Sequence, residues 1–250
     1  MREELSVLIQ AQYPLIYLVT FEEERAERTI ATLAQKRPQQ KMFTWTMTHG
    51  MVEYGHERGT GQQNNTVSPQ AANTWAMRQK EPGFFVFKDL HPFKDSPEVT
   101  RSLRDAIEAF RDTQKTIILM SPVQELPVEL EKEVVVLDFS LPDMSELNQV
   151  LTAELSKSGS FRITTDGREK LLKAALGLTK DEAEKVFRKS RVMAGKLTEG
   201  EVDIVLSEKK QLIRRNGILD YIEEDDTLDS VGGLEELKHW LRQRSNAFTE

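Results

Sequence analysis

The sequence predicts an α/β fold: a five-stranded, mostly parallel sheet in a three-layer αβα core, followed by a small helical domain. Three observations predict it. Five short apolar runs recur within the first 155 residues. Most of them are separated by segments with a helical period, the pattern of a parallel sheet covered on both faces. After Gly159 these runs give way to short amphipathic helices.

The elements follow in chain order. "PLIYLVTF" (Pro14 to Phe21) is continuously apolar, as a strand buried on both faces requires. "EEERAERTIATLAQKR" follows with almost no loop, and Ala26, Ile30 and Leu33 give it one apolar face, so it is a helix. "KMFTWTM" (Lys41 to Met47) alternates apolar residues with threonine and reads as a half-buried strand. Residues 55–70, "GHERGTGQQNNTVSPQ", carry no apolar period and are expected to form a long mobile loop, open to proteolysis at Arg58. "GFFVF" is the third strand. "SPEVTRSLRDAIEAFRD" is a helix with Ser96 as N-cap, Pro97 at its first position, and a stripe of Val99, Leu103, Ile107 and Phe110. "KTIILMS" and "EVVVLDF" supply the fourth and fifth strands. "DMSELNQVLTAEL" opens with Asp143 and Glu146 in capping-box spacing.

Beyond Gly159, "TDGREKLLKAALG" and "TKDEAEKVFRKSRVMAG" are helical, the second capped by Thr179 and Glu182. "EVDIVLSEKKQLIRRNGILDYI" reads as more helix, with Val202 to Leu206 as an alternative short strand. The expected organisation is a core at 1–158, a helical domain at 159–222, an acidic linker at 223–230, and a further helix at 231–250. That last helix, with Leu234, Leu237 and Leu241 on one face, has no domain to pack on, as in a truncated longer protein.

Composition narrows the functions. Of 250 residues, 38% are apolar and 30% charged, which suits a folded, well-solvated protein. The net charge of -7 argues against general attraction to nucleic acid. The chain has no cysteine, which excludes disulfides, thiolate catalysis and cysteine-ligated zinc. No apolar run has the length of a membrane span, and the N-terminus lacks the apolar core of a secretory signal. A cytoplasmic or organelle-matrix setting is the expectation.

Nucleotide chemistry in such a fold needs a glycine-rich loop between a strand and a helix, a lysine for the phosphates, and a Ser or Thr for magnesium. The first strand instead runs into "LVTFEEERAER". Glu22, Glu23 and Glu24 occupy the helix start that would receive a phosphate, and carboxylates there repel one. Gly59 and Gly61 in "ERGTGQQNN" have no following Lys-Ser or Lys-Thr and read as surface loop. Asp89, after the third strand, is a candidate magnesium carboxylate, with a cap or turn before His91-Pro92 as the alternative. His91 stands where ligands of parallel sheets bind. His49 and His56 flank a loop seven residues apart, a weak zinc signal. His91, Arg101, Arg104, Lys209, Lys210, Arg214 and Arg215 are candidate interface residues, the arginines because arginine favours carboxylates across interfaces; for the basic residues, solvation of a helix face is the alternative.

The layout resembles a degenerate AAA ATPase module, a five-stranded α/β core with a helical lid. "FFVFKDLH" is similar to the strand carrying the magnesium carboxylate, with Asp89 as relic, and "KTIILMSPVQELPVELEKE" to the sensor strand, with Ser121 at its tip. Together with "YPLIYLVTF", "RSLRDAIEAF" and "VGGLEELKHWL", these segments resemble the N-terminal part of the ycf-type AAA proteins of algal plastids and cyanobacteria. The resemblance implies a non-catalytic regulatory, assembly or partner-binding region preceding a catalytic AAA domain, of which residues 231–250 would be the truncated start. ATP and magnesium are then expected for that downstream domain and no cofactor for this region. It further implies contact with the downstream domain, homo-oligomers of the full protein, an unidentified protein partner, a stromal or cyanobacterial location, and a link to photosynthesis or inorganic-carbon use. Competing readings are a nucleic-acid-binding module using the 209–215 basic patch, and a nucleotidase with an unusual site near Asp89 and His91.

Overall fold

The computed structural model describes residues 2–37, 39–56, 65–157, 163–195, 198–215 and 232–245. Strands β1 (Leu15–Val19), β2 (Lys41–Thr46), β3 (Gly50–Glu53), β4 (Gly83–Lys88), β5 (Lys115–Ser121) and β6 (Val135–Asp138) form one sheet in the order β3-β2-β4-β5-β1-β6. All neighbours are parallel except the β2–β3 hairpin. The sheet thus gains a sixth strand over the five expected. β3 was hidden because "GMVE" is short and follows a polar turn; Gly50 opens it with a φ of 69°, which glycine adopts without strain.

Residue parity sorts the core. Leu15, Tyr17, Phe85, Phe87, Ile117 and Leu119 pack on one side of the sheet, and Ile16, Leu18, Phe84, Val86, Ile118 and Met120 on the other. Successive strand side chains point to opposite faces, so strands apolar at every position must be covered twice. The first side is covered by α3 (Pro69–Arg78) and α4 (Pro97–Phe110), the second by α1 (Arg2–Gln10) and α2 (Glu23–Gln35). Neither α1 nor α3 was expected from the sequence. α3 starts at Pro69, inside the expected loop, with the Ser68 hydroxyl accepting the Ala71 amide at 3.2 Å. Residues 57–64, Arg58 among them, lie outside the described residues, as does the acidic stretch 223–230.

The remaining helices are α5 (Met144–Lys157), α6 (Thr165–Ala175), α7 (Lys180–Ala194), α8 (Val202–Arg215) and α9 (Glu235–Ser245). Val202 to Leu206 are helix, so the alternative strand does not form. α5 begins with a reciprocal capping box: Asp143 accepts the Glu146 amide at 2.8 Å, and Glu146 accepts the Asp143 amide at 3.3 Å. Thr179 and Glu182 make the same exchange before α7.

The chain forms two compact units, residues 1–152 with 176–185, and residues 153–175 with 186–250. In the second unit Leu171, Phe187 and Val205 are fully buried. Its buried Glu154 carboxylate is satisfied by Lys157 at 2.6 Å and Arg191 at 3.3 Å.

Phe85 lies against Phe43 and Phe110, each with ring centroids 5.6 Å away. Phe85→Ala is therefore expected to cost about 3–5 kcal/mol, read from urea unfolding. Ser96→Ala, which removes the α4 cap and the hydroxyl's 2.8 Å bond to Glu98, is expected to cost about 1 kcal/mol.

Candidate functional site

The parallel strands end together along one edge, where sheets of this kind bind ligands. The turn from β1 into α2 is made by Thr20, Phe21 and Glu22. Thr20 continues the ladder, its amide donating to the Ser121 carbonyl at 2.8 Å. Its hydroxyl then accepts the Glu22 amide at 2.9 Å. This hydroxyl, and not a glycine loop, shapes the turn.

Glu22 is 9% exposed, and both oxygens of its carboxylate are engaged. One accepts the backbone amide of Lys180, the first residue of α7, at 2.6 Å. The other accepts from the Arg25 guanidinium at 2.5 Å. An anion on the exposed amides of a helix start is a standard way to satisfy them, and here the anion is a side chain of the protein itself.

Arg25 completes the arrangement. It forks onto Glu146 at 3.0 and 2.8 Å, donates to the Ser140 carbonyl at 2.7 Å, and lies 4.7 Å from the Phe139 ring centroid. Burial works against the Arg25 charge, but hydrogen bonds and charge attraction from Glu146 and Glu22 outweigh it and raise its pKa. The bond to Arg25 holds the Glu146 carboxyl below the usual glutamate value of 4.5.

The neighbouring strand end is also reversed in charge. Lys88, the last residue of β4, directly precedes the candidate carboxylate Asp89. It pairs with Glu27 and, at 3.1 Å, with Glu23 of α2. Burial opposes the Lys88 charge, and the two glutamates overcome that and raise its pKa. An acidic helix start facing a basic strand end is the opposite of what a triphosphate with magnesium needs. These residues do not fit that ligand.

The sequence candidates distribute as follows. Asp89 is exposed in a turn, with a φ of 50°, and its amide donates to the Met120 carbonyl at 2.9 Å. Asp is one of the few residues that accepts this left-handed backbone. His91 and Ser121 come together, ring Nδ1 to hydroxyl oxygen at 2.8 Å. His49 and His56 both line an open cleft of about 340 Å³ that also includes Glu23, Glu27 and Lys88. Among the described residues, no three His, Asp or Glu side chains are grouped to hold a metal ion. Arg101 pairs with Asp105, and Arg104 with Glu133 at 3.5 Å. Lys209, Lys210 and Arg214 lie on α8, as does the backbone of Arg215.

Sequence reading missed Arg25 and Lys88. A faint signal existed for Arg25, a cation next to the apolar stripe of Ala26 and Ile30, where burial demands partners.

A carboxyl with a lowered folded pKa contributes stability that is complete above the unfolded value and lost as pH falls through the folded one. The Glu146 contribution is thus expected to fade below 4.5, giving a steeper acid-induced drop in melting temperature for the parent than for Glu146→Gln. Arg25→Ala leaves the Glu22 carboxylate buried without its cation and is expected to cost about 3–5 kcal/mol at neutral pH by urea unfolding.

The comparisons with known proteins agree with this architecture. Residues 1–139 match the family model for the N-terminal domain of SpoVK-like AAA ATPases, and residues 145–216 match that for their second domain. An uncharacterized AAA domain-containing protein, ycf46, of Trieres chinensis is 29% identical over 99% of this chain and 49% of its own length. The same-named protein of Guillardia theta is 27% identical over 99% of this chain and 48% of its own. The chain thus spans about half the length of the curated relatives it matches. Among solved structures, the Escherichia coli MS115-1 HORMA:CdnC:Trip13 complex contains a chain superposing with a TM-score of 0.56 at 13% identity, covering 88% of both chains. Domain III of the Thermotoga maritima replication initiation protein DnaA superposes at 0.51 and 11% identity, covering 83% of this chain and 88% of its own. These structural likenesses establish the shared fold, and the two family models together place the chain in the SpoVK-like AAA ATPase family.

Proposed function

We propose that residues 1–250 act as a non-catalytic regulatory, assembly or partner-binding region of a AAA ATPase. Its nucleotide chemistry would reside in sequence that the longer relatives carry beyond the matched half. The observation that carries this reading is the Glu22 carboxylate seated on the first amide of α7 at 2.6 Å. The groups of the β1–α2 turn satisfy one another, and a phosphate entering there would have to displace a bonded carboxylate while facing Glu23 and Glu24. Lys88, held by Glu23 and Glu27, supports the same reading from the adjacent strand.

The relatives from Trieres chinensis, Guillardia theta and Pyropia yezoensis support a plastid or cyanobacterial setting for the whole protein. A link to photosynthesis or inorganic-carbon use is part of the proposal. So is a homo-oligomer of the full protein in which ATP and magnesium serve the downstream domain.

Titration calorimetry tests this reading. The 250-residue chain is expected to show no saturable heat with ATP and magnesium at millimolar concentrations. A micromolar dissociation constant would overturn the proposal. Asp89→Ala is expected to leave the heats unchanged, because its exposed carboxylate has no phosphate-bound ion to share.

A further inference from the structure

The same strand ends carry a second pattern, written in exposed apolar residues. β2, β5, β1 and β6 each run out into one: Met47 is 63% exposed, Val123 39%, Phe21 79% and Leu141 48%. Three of them follow strands that are neighbours in the sheet, β5, β1 and β6. Val19 of β1 pairs with Ser121 of β5 and with Asp138 of β6. Phe21 and Val123 each stand two residues beyond that rung, and Leu141 three. A phenylalanine that exposed, at the end of a strand whose two neighbours also run out into exposed apolar residues, is what a partner surface looks like, whereas single scattered apolar residues carry no such meaning.

Acidic groups flank the apolar tips. Lys88 pairs with Met120, so Asp89 lies level with Ser121, and the rung reads Asp89, Ser121, Val19, Asp138 across β4, β5, β1 and β6. Asp89 and Asp138 are both exposed, and their carboxylates have no hydrogen-bond or ion-pair partner among the described residues. The other carboxylates nearby already have cation partners: Glu22 and Glu146 share Arg25, Glu23 and Glu27 share Lys88, Glu125 pairs with Lys94, and Glu24 with Arg28. Three strand spacings separate the two aspartates, roughly 14 Å at ~4.8 Å per strand.

We infer that this edge docks a polypeptide segment of a partner protein that has an aliphatic or aromatic centre flanked by Lys or Arg. The centre covers Phe21, Val123 and Leu141, and the cations meet Asp89 and Asp138. An extended segment spans the ~14 Å between the aspartates in about four residues at ~3.3–3.4 Å each. The complementarity is of charge and of pattern, acidic at both ends and apolar between. Desolvated aromatic anchors are where binding energy concentrates, and flanking charges set selectivity and on-rate. This inference rests on the partner-binding reading above and gives it a chemistry and a place.

The test uses the 250-residue chain and three fluorescein-labelled twelve-residue peptides, read by anisotropy. One has a Leu-Trp-Leu centre with arginines on both sides, the second has glutamates in their place, and the third keeps the arginines around a serine centre. The first is expected to bind at least tenfold more tightly than the other two, and more weakly as salt rises. Phe21→Ser is expected to weaken it at least fivefold. The double variant Asp89→Asn, Asp138→Asn is expected to weaken it and flatten its salt dependence. Asn accepts the left-handed backbone at Asp89, and all three positions are exposed, so melting temperatures should stay at the parent value. Equal binding of the three peptides, or no response to either variant, overturns the inference. So does sedimentation showing concentration-dependent self-association that Phe21→Ser abolishes, because the edge would then belong to a second copy. Nucleotide heats are measured on the same samples: saturable ATP binding with the peptide pattern intact would undo the non-catalytic reading alone.

Discussion

The guanidinium of Arg25 is the interaction on which this region of the protein depends. It joins the start of α2 to the segment leaving β6 through Ser140 and to the start of α5 through Glu146. Through Glu22 it also supports the first amide of α7. A buried ion pair is costly to assemble, because both ions lose water, and it is stable only when every lone pair and proton finds a partner. That condition is met here by a forked carboxylate, a second carboxylate, a carbonyl and an aromatic face. Lysine, with a compact ammonium, could not fork onto Glu146 and reach Glu22 and Ser140 together. The geometry explains why the first turn of α2 can be so acidic without opening: one carboxylate is consumed by Arg25 and a helix amide, and another by Lys88.

Much of the fold was legible because the strands are apolar at nearly every position. Such runs have few alternatives to a sheet covered on both faces, and the caps at Ser96, Asp143 and Thr179 mark helix starts by chemistry that is local in sequence. The errors share a cause. β3 has only four residues, and α3 is built from "PQAANTWAMR", whose small and polar residues carry a weak apolar period. Val202 to Leu206, read as helix with a strand as the alternative, do open a longer amphipathic helix, because the longer period prevails.

The site was half legible. What the turn lacks was plain from "LVTFEEERAER", since glycine and lysine are either present or not. What replaces them was not, because Arg25 meets Glu146 across 121 positions and Glu22 meets Lys180 across 158. Local pattern carries no information over such separations. His91 and Ser121, each singled out for its own reason, were brought together only by the pairing of β4 beside β5.

The double duty of Glu22 has a consequence for how this sequence can change over time. Exchanging it for glycine would give the turn one feature of a phosphate loop, but would strip a buried guanidinium and a helix amide of an acceptor at once. Removing Arg25 first would strand the Glu22 charge. Each single step toward a phosphate-loop turn therefore passes through a less stable chain, and the gain arrives only when several steps are complete. Interlocked bonding of this kind acts as a barrier: drift can vary the surface around the turn, while conversion of the turn itself into a phosphate loop is closed off by its own internal bonds.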